Sequence, residues 1–331
     1  MAQSRYSKSY RILNVEPSGY SEEARALIME LGTLDEREMP RSALLGALGN
    51  YDVLIVRLSH QIDRKLIEAG RSLLAIVTAT TSLDHIDVDY AQDNGIAILS
   101  LQGETKFLQS VSATAEHTWA LLLALVRKIV SASLDVGIGN WNRDAFKGHE
   151  LCGKHLGLVG LGRIGKMVAD YGQAFGMNVG AYDPFAREWK EGVWRASALP
   201  ELLGWSDVLC LHVPLNSETH GLIGKEELAL LPQKAIIINT SRGQLIDEKA
   251  LVEALENGRI AGGALDVIAH ERNAELRLKS RLFAYAKTHD NLIITPHIGG
   301  ATHESMAKTE IFMAHKLARF LLAKEKHSQV R

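Results

Sequence analysis

The sequence predicts an α/β protein of two doubly wound parallel sheets, and three observations carry that prediction. Short apolar runs alternate with helix-period segments from residue 11 to residue 99. A strand, a Gly-rich turn, a helix and a second strand follow one another over residues 154–184. Further apolar runs, separated by helical stretches, continue to residue 295. Strand–helix alternation of this kind implies parallel sheets covered by helices.

In the first half, residues 11–15 read as a strand, and Ala24, Leu27, Ile28 and Leu31 recur behind it at helical spacing. Strand 52–58 ends in Arg57-Leu58-Ser59-His60, and helix 61–69 leads to strand 73–78. The polar turn Thr80-Thr81-Ser82 and the run Asp84-His85-Ile86-Asp87 come next, then helix 88–94, a Gly95 stop and strand 96–99. No Gly-rich phosphate loop occurs in this unit, so it reads as the substrate half of a two-domain enzyme. Residues 112–127 form an almost wholly apolar helix, of the kind that passes from one domain to another. The polar stretch 131–149, with Gly137, Gly139 and Trp141, reads as an irregular crossover.

The stretch 154–184 organises the rest. After strand 155–160 comes Gly160-Leu161-Gly162-Arg163-Ile164-Gly165, and a helix carries Ile164, Val168 and Tyr171 on one face. Strand 178–182 then ends at Asp183. Each glycine has a task if a dinucleotide binds here. The first makes the tight turn, the second admits the pyrophosphate, and the third lets helix and strand pack closely. The helix N-terminus offers unpaired N–H groups to phosphate, and Asp183 would accept hydrogen bonds from the adenosine ribose and repel the 2′-phosphate of NADP. Strands 208–212, 235–239, 263–267 and 292–295 continue the sheet, with helix 248–257 closed by Gly258 among the intervening helices and a last helix over 302–323.

Composition bounds the rest. A chain of 331 residues with 46% hydrophobic and 23% charged residues has room for two cores. Its formal net charge of −2 gives no footing for nucleic acid or an anionic membrane. The two cysteines, Cys152 and Cys210, make no disulfide framework or metal spacing, which points to a reducing cytoplasm and no metal site. Residues 119–126, the longest apolar run, are far short of a bilayer span, and the start of the chain lacks the apolar core of a secretory signal.

Four further stretches sharpen the reading: Leu83-Asp84-His85-Ile86-Asp87, Asn239-Thr240-Ser241-Arg242-Gly243, Ala264-Leu265-Asp266-Val267 with Glu271 beyond, and Thr295-Pro296-His297-Ile298-Gly299-Gly300. With the Gly-rich unit, they resemble the NAD-dependent D-isomer-specific 2-hydroxyacid dehydrogenases over nearly the whole chain. The resemblance implies two Rossmann-like domains, a discontinuous substrate domain of residues 1–110 plus 301–331 and an NAD-binding domain of residues 111–300. It also implies a homodimer, with a small 2-keto or 2-hydroxy acid as substrate.

The chemistry needs three groups. Arg242 offers a planar charged fork for the substrate carboxylate, His297 can exchange a proton with the carbonyl oxygen, and Glu271 would orient the imidazole. The resemblance assigns these roles to the same residues. For NAD it implies Gly160, Gly162, Arg163, Ile164, Gly165, Asp183, Val213, Thr240, Ser241, Asp266 and Gly300, and for substrate Arg57 and the turn Ala79, Thr80, Thr81 and Ser82. Among the 13 histidines, His117, His155 and His212 read as structural. Departures are visible: Thr80-Thr81-Ser82 replaces a glycine-rich turn, Thr78 stands where phosphoglycerate dehydrogenases carry Arg, Arg272 replaces a proline, and 273–290 reads as a long loop. A second reading of the same resemblance is an NAD(H)-gated corepressor-like binding protein.

Overall fold

The computed structural model describes residues 9–329, so the serine-rich stretch 1–8 lies outside the described residues. The chain divides into two compact units, one made of residues up to Ser110 together with those from Thr302 onward, the other of Val111–Ala301.

The first unit holds strands β1 (Tyr10–Asn14), β2 (Gly32–Glu36), β3 (Val53–Val56), β4 (Ala75–Thr78) and β5 (Ala97–Leu99). They form one parallel sheet in the order β2-β1-β3-β4-β5. Strand β2, GTLDE, has no apolar run and was not predicted. It exists because it pairs with β1 in register Tyr10↔Gly32, where a Cβ on Gly32 would stand 2.0 Å from the Tyr10 carbonyl oxygen. Helix Arg64–Ala69 begins three residues later than expected, at the Asp63 side-chain cap on Leu66 N–H. The last helix, His303–Gln329, runs beyond the expected end at residue 323 and buries Met313, Ala314, Leu317 and Leu321.

The second unit contains β6 (His155–Val159), β7 (Asn178–Tyr182), β8 (Trp194–Arg195), β9 (Val208–Leu211), β10 (Ile236–Asn239), β11 (Gly262–Leu265) and β12 (Leu292–Ile294). Their order is β12-β11-β10-β9-β6-β7-β8, all parallel. Alternate residues of one strand feed opposite cores: Leu209 and Leu211 pack on one face, Val208 and Cys210 on the other. That two-sided burial is why these strands read as continuous apolar runs. Helix Ala113–Val126 lies wholly in this unit and closes one face with Trp119, Leu122 and Leu125.

Two expectations fail here. The presumed irregular crossover contains a helix, Ile129–Gly137, which starts from Lys128 in a left-handed conformation at φ 54°. Its glycine-rich, polar surroundings hid the apolar residues Ile129, Val130 and Leu134. The presumed long loop 273–290 folds as two short helices, Ala274–Lys279 and Arg281–Ala286, capped by the side chains of Asn273 and Ser280. Leu282 and Tyr285 of the second are buried in the core.

Candidate active site

The order of the second sheet reverses between β6 and β9, so the crevice at their carboxyl ends is the switch point where α/β sheets take ligands. The Gly-rich turn lies there. Gly160 has φ +96°, and a Cβ on it would stand 2.5 Å from the His212 carbonyl oxygen. Gly162 caps helix Arg163–Ala174 and has open space where a Cβ would point, so a ligand can approach its backbone. At Gly165 a Cβ would meet the Gly160 carbonyl oxygen at 2.2 Å, so helix and turn pack backbone to backbone. These spaces fit a dinucleotide, and each glycine meets the requirement its place in the motif imposes.

Asp183, just past β7, accepts the Leu161 N–H at 2.8 Å and the Phe185 N–H at 2.9 Å. Each carboxylate oxygen keeps a lone pair for a ribose hydroxyl. Arg163 turns its guanidinium to the Val111 carbonyl oxygen, and burial pulls its pKa down. Ile164 and Val213 pack against the two cores. Thr240 is buried with its hydroxyl 2.7 Å from that of Thr118, and the Ser241 hydroxyl donates to the Leu211 carbonyl oxygen at 2.7 Å. Gly300 is exposed, with nothing near its Cβ position.

A histidine–glutamate pair follows two neighbouring strands. His297 follows β12 and Glu271 follows β11, and the imidazole Nδ1 lies 3.0 Å from both Glu271 carboxylate oxygens. An ionised carboxylate only accepts, so Nδ1 carries the proton and Nε2 is left for chemistry. Arg242 leaves the same edge from β10, with Nη1 on the Ser241 carbonyl oxygen at 2.7 Å and its own carbonyl held by Asn239 Nδ2 at 2.8 Å. Gly243 is required beside it, since a Cβ there would fall 2.0 Å from the carbonyl carbon of Ile268.

Asp266 differs from expectation in its surroundings. It is 1% exposed, and its carboxylate accepts from the Thr295 hydroxyl (2.6 Å), the N–H groups of Ile298 (2.9 Å) and Gly299 (2.7 Å), and His117 Nε2 (3.1 Å). Burial alone would raise its pKa, but the hydrogen bonds from His117, Thr295 and the two N–H groups together outweigh that and hold it below the ordinary carboxylate range. No motif pointed to His117 or Thr295 as its partners. Sequence separations of 149 and 29 residues leave no local signal for either contact.

The other expected substrate residues belong to the first unit. Arg57 is half-buried, paired with Glu310 at 2.5 Å and donating to the Ser18 carbonyl oxygen at 2.8 Å. Burial raises the Glu310 pKa, although the Ser21 N–H and Arg57 act against the shift. In the turn after β4, Ala79 is half-buried and Thr81 exposed. The Thr80 hydroxyl donates to the Ser82 carbonyl oxygen at 2.8 Å. Among the described residues, no group of three or more His, Cys, Asp or Glu is arranged to hold a metal ion.

The family described as D-isomer specific 2-hydroxyacid dehydrogenase, NAD binding domain, matches residues 119–299. D-3-phosphoglycerate dehydrogenase of Methanocaldococcus jannaschii is 37% identical over 94% of this chain and 57% of its own length. Hydroxypyruvate reductase of Thermotoga maritima is 35% identical over 94% of this chain and 98% of its own. The chain thus spans about half the length of the curated phosphoglycerate dehydrogenases it matches, such as the 50% covered in the Bacillus subtilis protein. Among solved structures, D-lactate dehydrogenase from Aquifex aeolicus, complexed with NAD and lactic acid, superposes with a TM-score of 0.81 at 30% identity, covering 95% of this chain and 96% of that one.

Proposed function

Because the chain belongs to the D-isomer-specific 2-hydroxyacid dehydrogenase family, with NAD as cofactor, we propose that it interconverts a D-2-hydroxy acid and its 2-keto acid. The observation that carries this reading is the His297–Glu271 hydrogen bond, 3.0 Å to both oxygens, on the strand edge that also bears Arg242.

NADH, when bound, supplies the hydride that reaches the carbonyl carbon. The Arg242 guanidinium holds the substrate carboxylate and draws electron density from the adjacent carbonyl. As negative charge develops on the carbonyl oxygen, His297 Nε2 gives it a proton, and the imidazolium becomes neutral imidazole. Oxidation runs the same path backwards, with Nε2 taking the hydroxyl proton. Glu271 fixes the tautomer by accepting from Nδ1–H. For the cofactor, Gly160, Gly162 and Gly165 shape the pyrophosphate turn with Arg163 and Ile164 at the helix start, and Asp183 takes the ribose. Val213, Thr240, Ser241, Asp266 and Gly300 complete the proposed cofactor set. Arg57 and the turn Ala79, Thr80, Thr81 and Ser82 are the proposed substrate contacts of the first unit.

A homodimer is part of the same reading. Helix Ile129–Gly137 and the segment after it expose Leu134 (68%), Ile138 (79%) and Trp141 (88%), an apolar surface that a second copy of the chain would cover. The cytoplasm is the proposed location: Cys152 is an exposed free thiol and Cys210 a buried one, and no described helix is long and apolar enough to cross a membrane. The test is NADH oxidation followed at saturating cofactor with glyoxylate, pyruvate, hydroxypyruvate and 3-phosphohydroxypyruvate. Turnover of at least one, lost in His297→Gln, is expected; no turnover of any 2-keto acid overturns the reading.

A further inference from the structure

His297 sits in a left-handed backbone conformation, φ 56°, which is unfavourable for a non-glycine residue because its Cβ crowds the carbonyl oxygen. Something must hold it there. The His297 N–H is shared between the carbonyl oxygens of Asp266 at 2.8 Å and Thr295 at 3.0 Å, and the N–H groups of Ile298 and Gly299 end on the Asp266 carboxylate at 2.9 and 2.7 Å. One buried aspartate therefore fixes the backbone of the loop, while Glu271 fixes only the ring.

The Asp266 carboxylate is itself held from below. His117, on helix Ala113–Val126, places Nε2 3.1 Å from Asp266 Oδ1 and 3.1 Å from the Thr295 hydroxyl, whose own proton goes to Oδ1 at 2.6 Å. Because the carboxylate can only accept, Nε2 must carry the proton. No slack exists between helix and loop: a Cβ on Gly299 would stand 2.9 Å from Asp266 Oδ2, 3.5 Å from Thr114 Cγ2 and 3.6 Å from His117 Cδ2. The His117 side chain is 17% exposed, so water competes little for the contact.

We infer that His117 is a positioning residue for the proton-transfer step, acting through Asp266 and Thr295 to hold the His297 loop in its left-handed conformation. This rests on the proposed role of His297. The hydrogen bonds run from the helix to the Asp266 carboxylate and on to the N–H groups of Ile298 and Gly299, the two residues that follow His297 in the loop, so losing the first member loosens the backbone that carries the imidazole without touching substrate. A displacement of about 1 Å at a reacting group can cost on the order of 10²-fold in rate.

The experiment compares His117→Ala and His117→Gln with the unmodified protein and with His297→Gln. In His117→Ala, kcat is expected to fall about 30- to 100-fold with KM for the keto acid changed less than about threefold, since the loss is in orientation rather than binding. Gln places an amide N–H where Nε2–H stood, so His117→Gln is expected to recover most of the rate. A second readout needs no turnover: in histidine-labelled protein without cofactor, the His297 ring resonance, identified by its absence in His297→Gln, should move or broaden in His117→Ala and return in His117→Gln. Full activity in His117→Ala with an unmoved His297 resonance overturns the inference. So does a loss that glutamine fails to restore, or one that appears as a raised KM for NADH with kcat kept. If His297→Gln itself keeps normal turnover, the proposed function fails instead, and the two failures are told apart.

Discussion

Asp183 accepts the main-chain N–H of Leu161 at 2.8 Å, so the acid at the tip of β7 is tied to the Gly-rich turn after β6. In the proposed cofactor site the same residue that braces the turn would also place negative charge beside a ribose 2′-substituent. NADH is expected to be used at least about tenfold better than NADPH, because a carboxylate repels a phosphate of charge near −2. Asp183→Ala should narrow that preference while weakening NADH binding through the lost brace. Steady-state kcat/KM with each cofactor is the measurement, and equal use of both by the unmodified protein would contradict the assignment.

Arg242 is held at its backbone by Asn239 and hemmed in by Gly243, whose Cβ position is 2.0 Å from the Ile268 backbone. Replacing Arg242 with Lys keeps the charge but removes the two-pronged fork, and a drop of about 10²-fold or more in kcat/KM for the keto acid is expected, with NADH affinity unchanged. Fluorescence titration of NADH separates the two effects. If cofactor affinity falls in step with turnover, Arg242 serves the cofactor rather than the substrate.

Removal of the His297 imidazole should cost about 10²–10⁴-fold in turnover, the usual contribution of a positioned acid or base. Glu271→Gln retains shape but offers Nδ1 an amide that can either donate or accept, so the tautomer is no longer fixed. An intermediate loss of about 10–100-fold is expected for a partner that orients rather than reacts. Single-turnover hydride transfer, which isolates chemistry from product release, is the assay. Equal rates for Glu271→Gln and the unmodified protein would remove Glu271 from the mechanism.

His212 stands after β9 with its Nε2 shut off from solvent and without a hydrogen-bond partner, although the residue as a whole is only partly buried. Burial lowers its pKa from 6.5 to about 4. In the folded state the ring stays neutral while the unfolded chain takes up a proton, so stability is complete above the unfolded pKa and declines as pH falls toward the folded one. From about pH 7 to about pH 5 this one group should remove about 2 kcal/mol. Urea unfolding at both pH values measures it. His212→Asn should flatten the slope, and an unchanged slope in that variant would assign the loss to other groups.

What the sequence determined by itself is the part governed by short-range rules. Strand β6, Gly160, Gly162 and Gly165, helix Arg163–Ala174 and Asp183 lie within about 30 consecutive residues, and each signal is a local steric or periodic requirement. Arg242, Glu271 and His297 stood out as a set only through the motifs that resemble the family, and the structure places them after the parallel strands β10, β11 and β12, with His297 on Glu271. The tertiary structure alone decided the rest. Strand β2 forms only when β1 offers it a partner, and helix Ile129–Gly137 has no buried residue to betray its period. The joining of His117, Thr295 and the His297 loop at Asp266 spans residues 117–299, and hydrogen bonds between such distant positions leave no local pattern in the chain. Packing around a buried charge, which must be satisfied by whatever donors the fold brings near, is what made that connection.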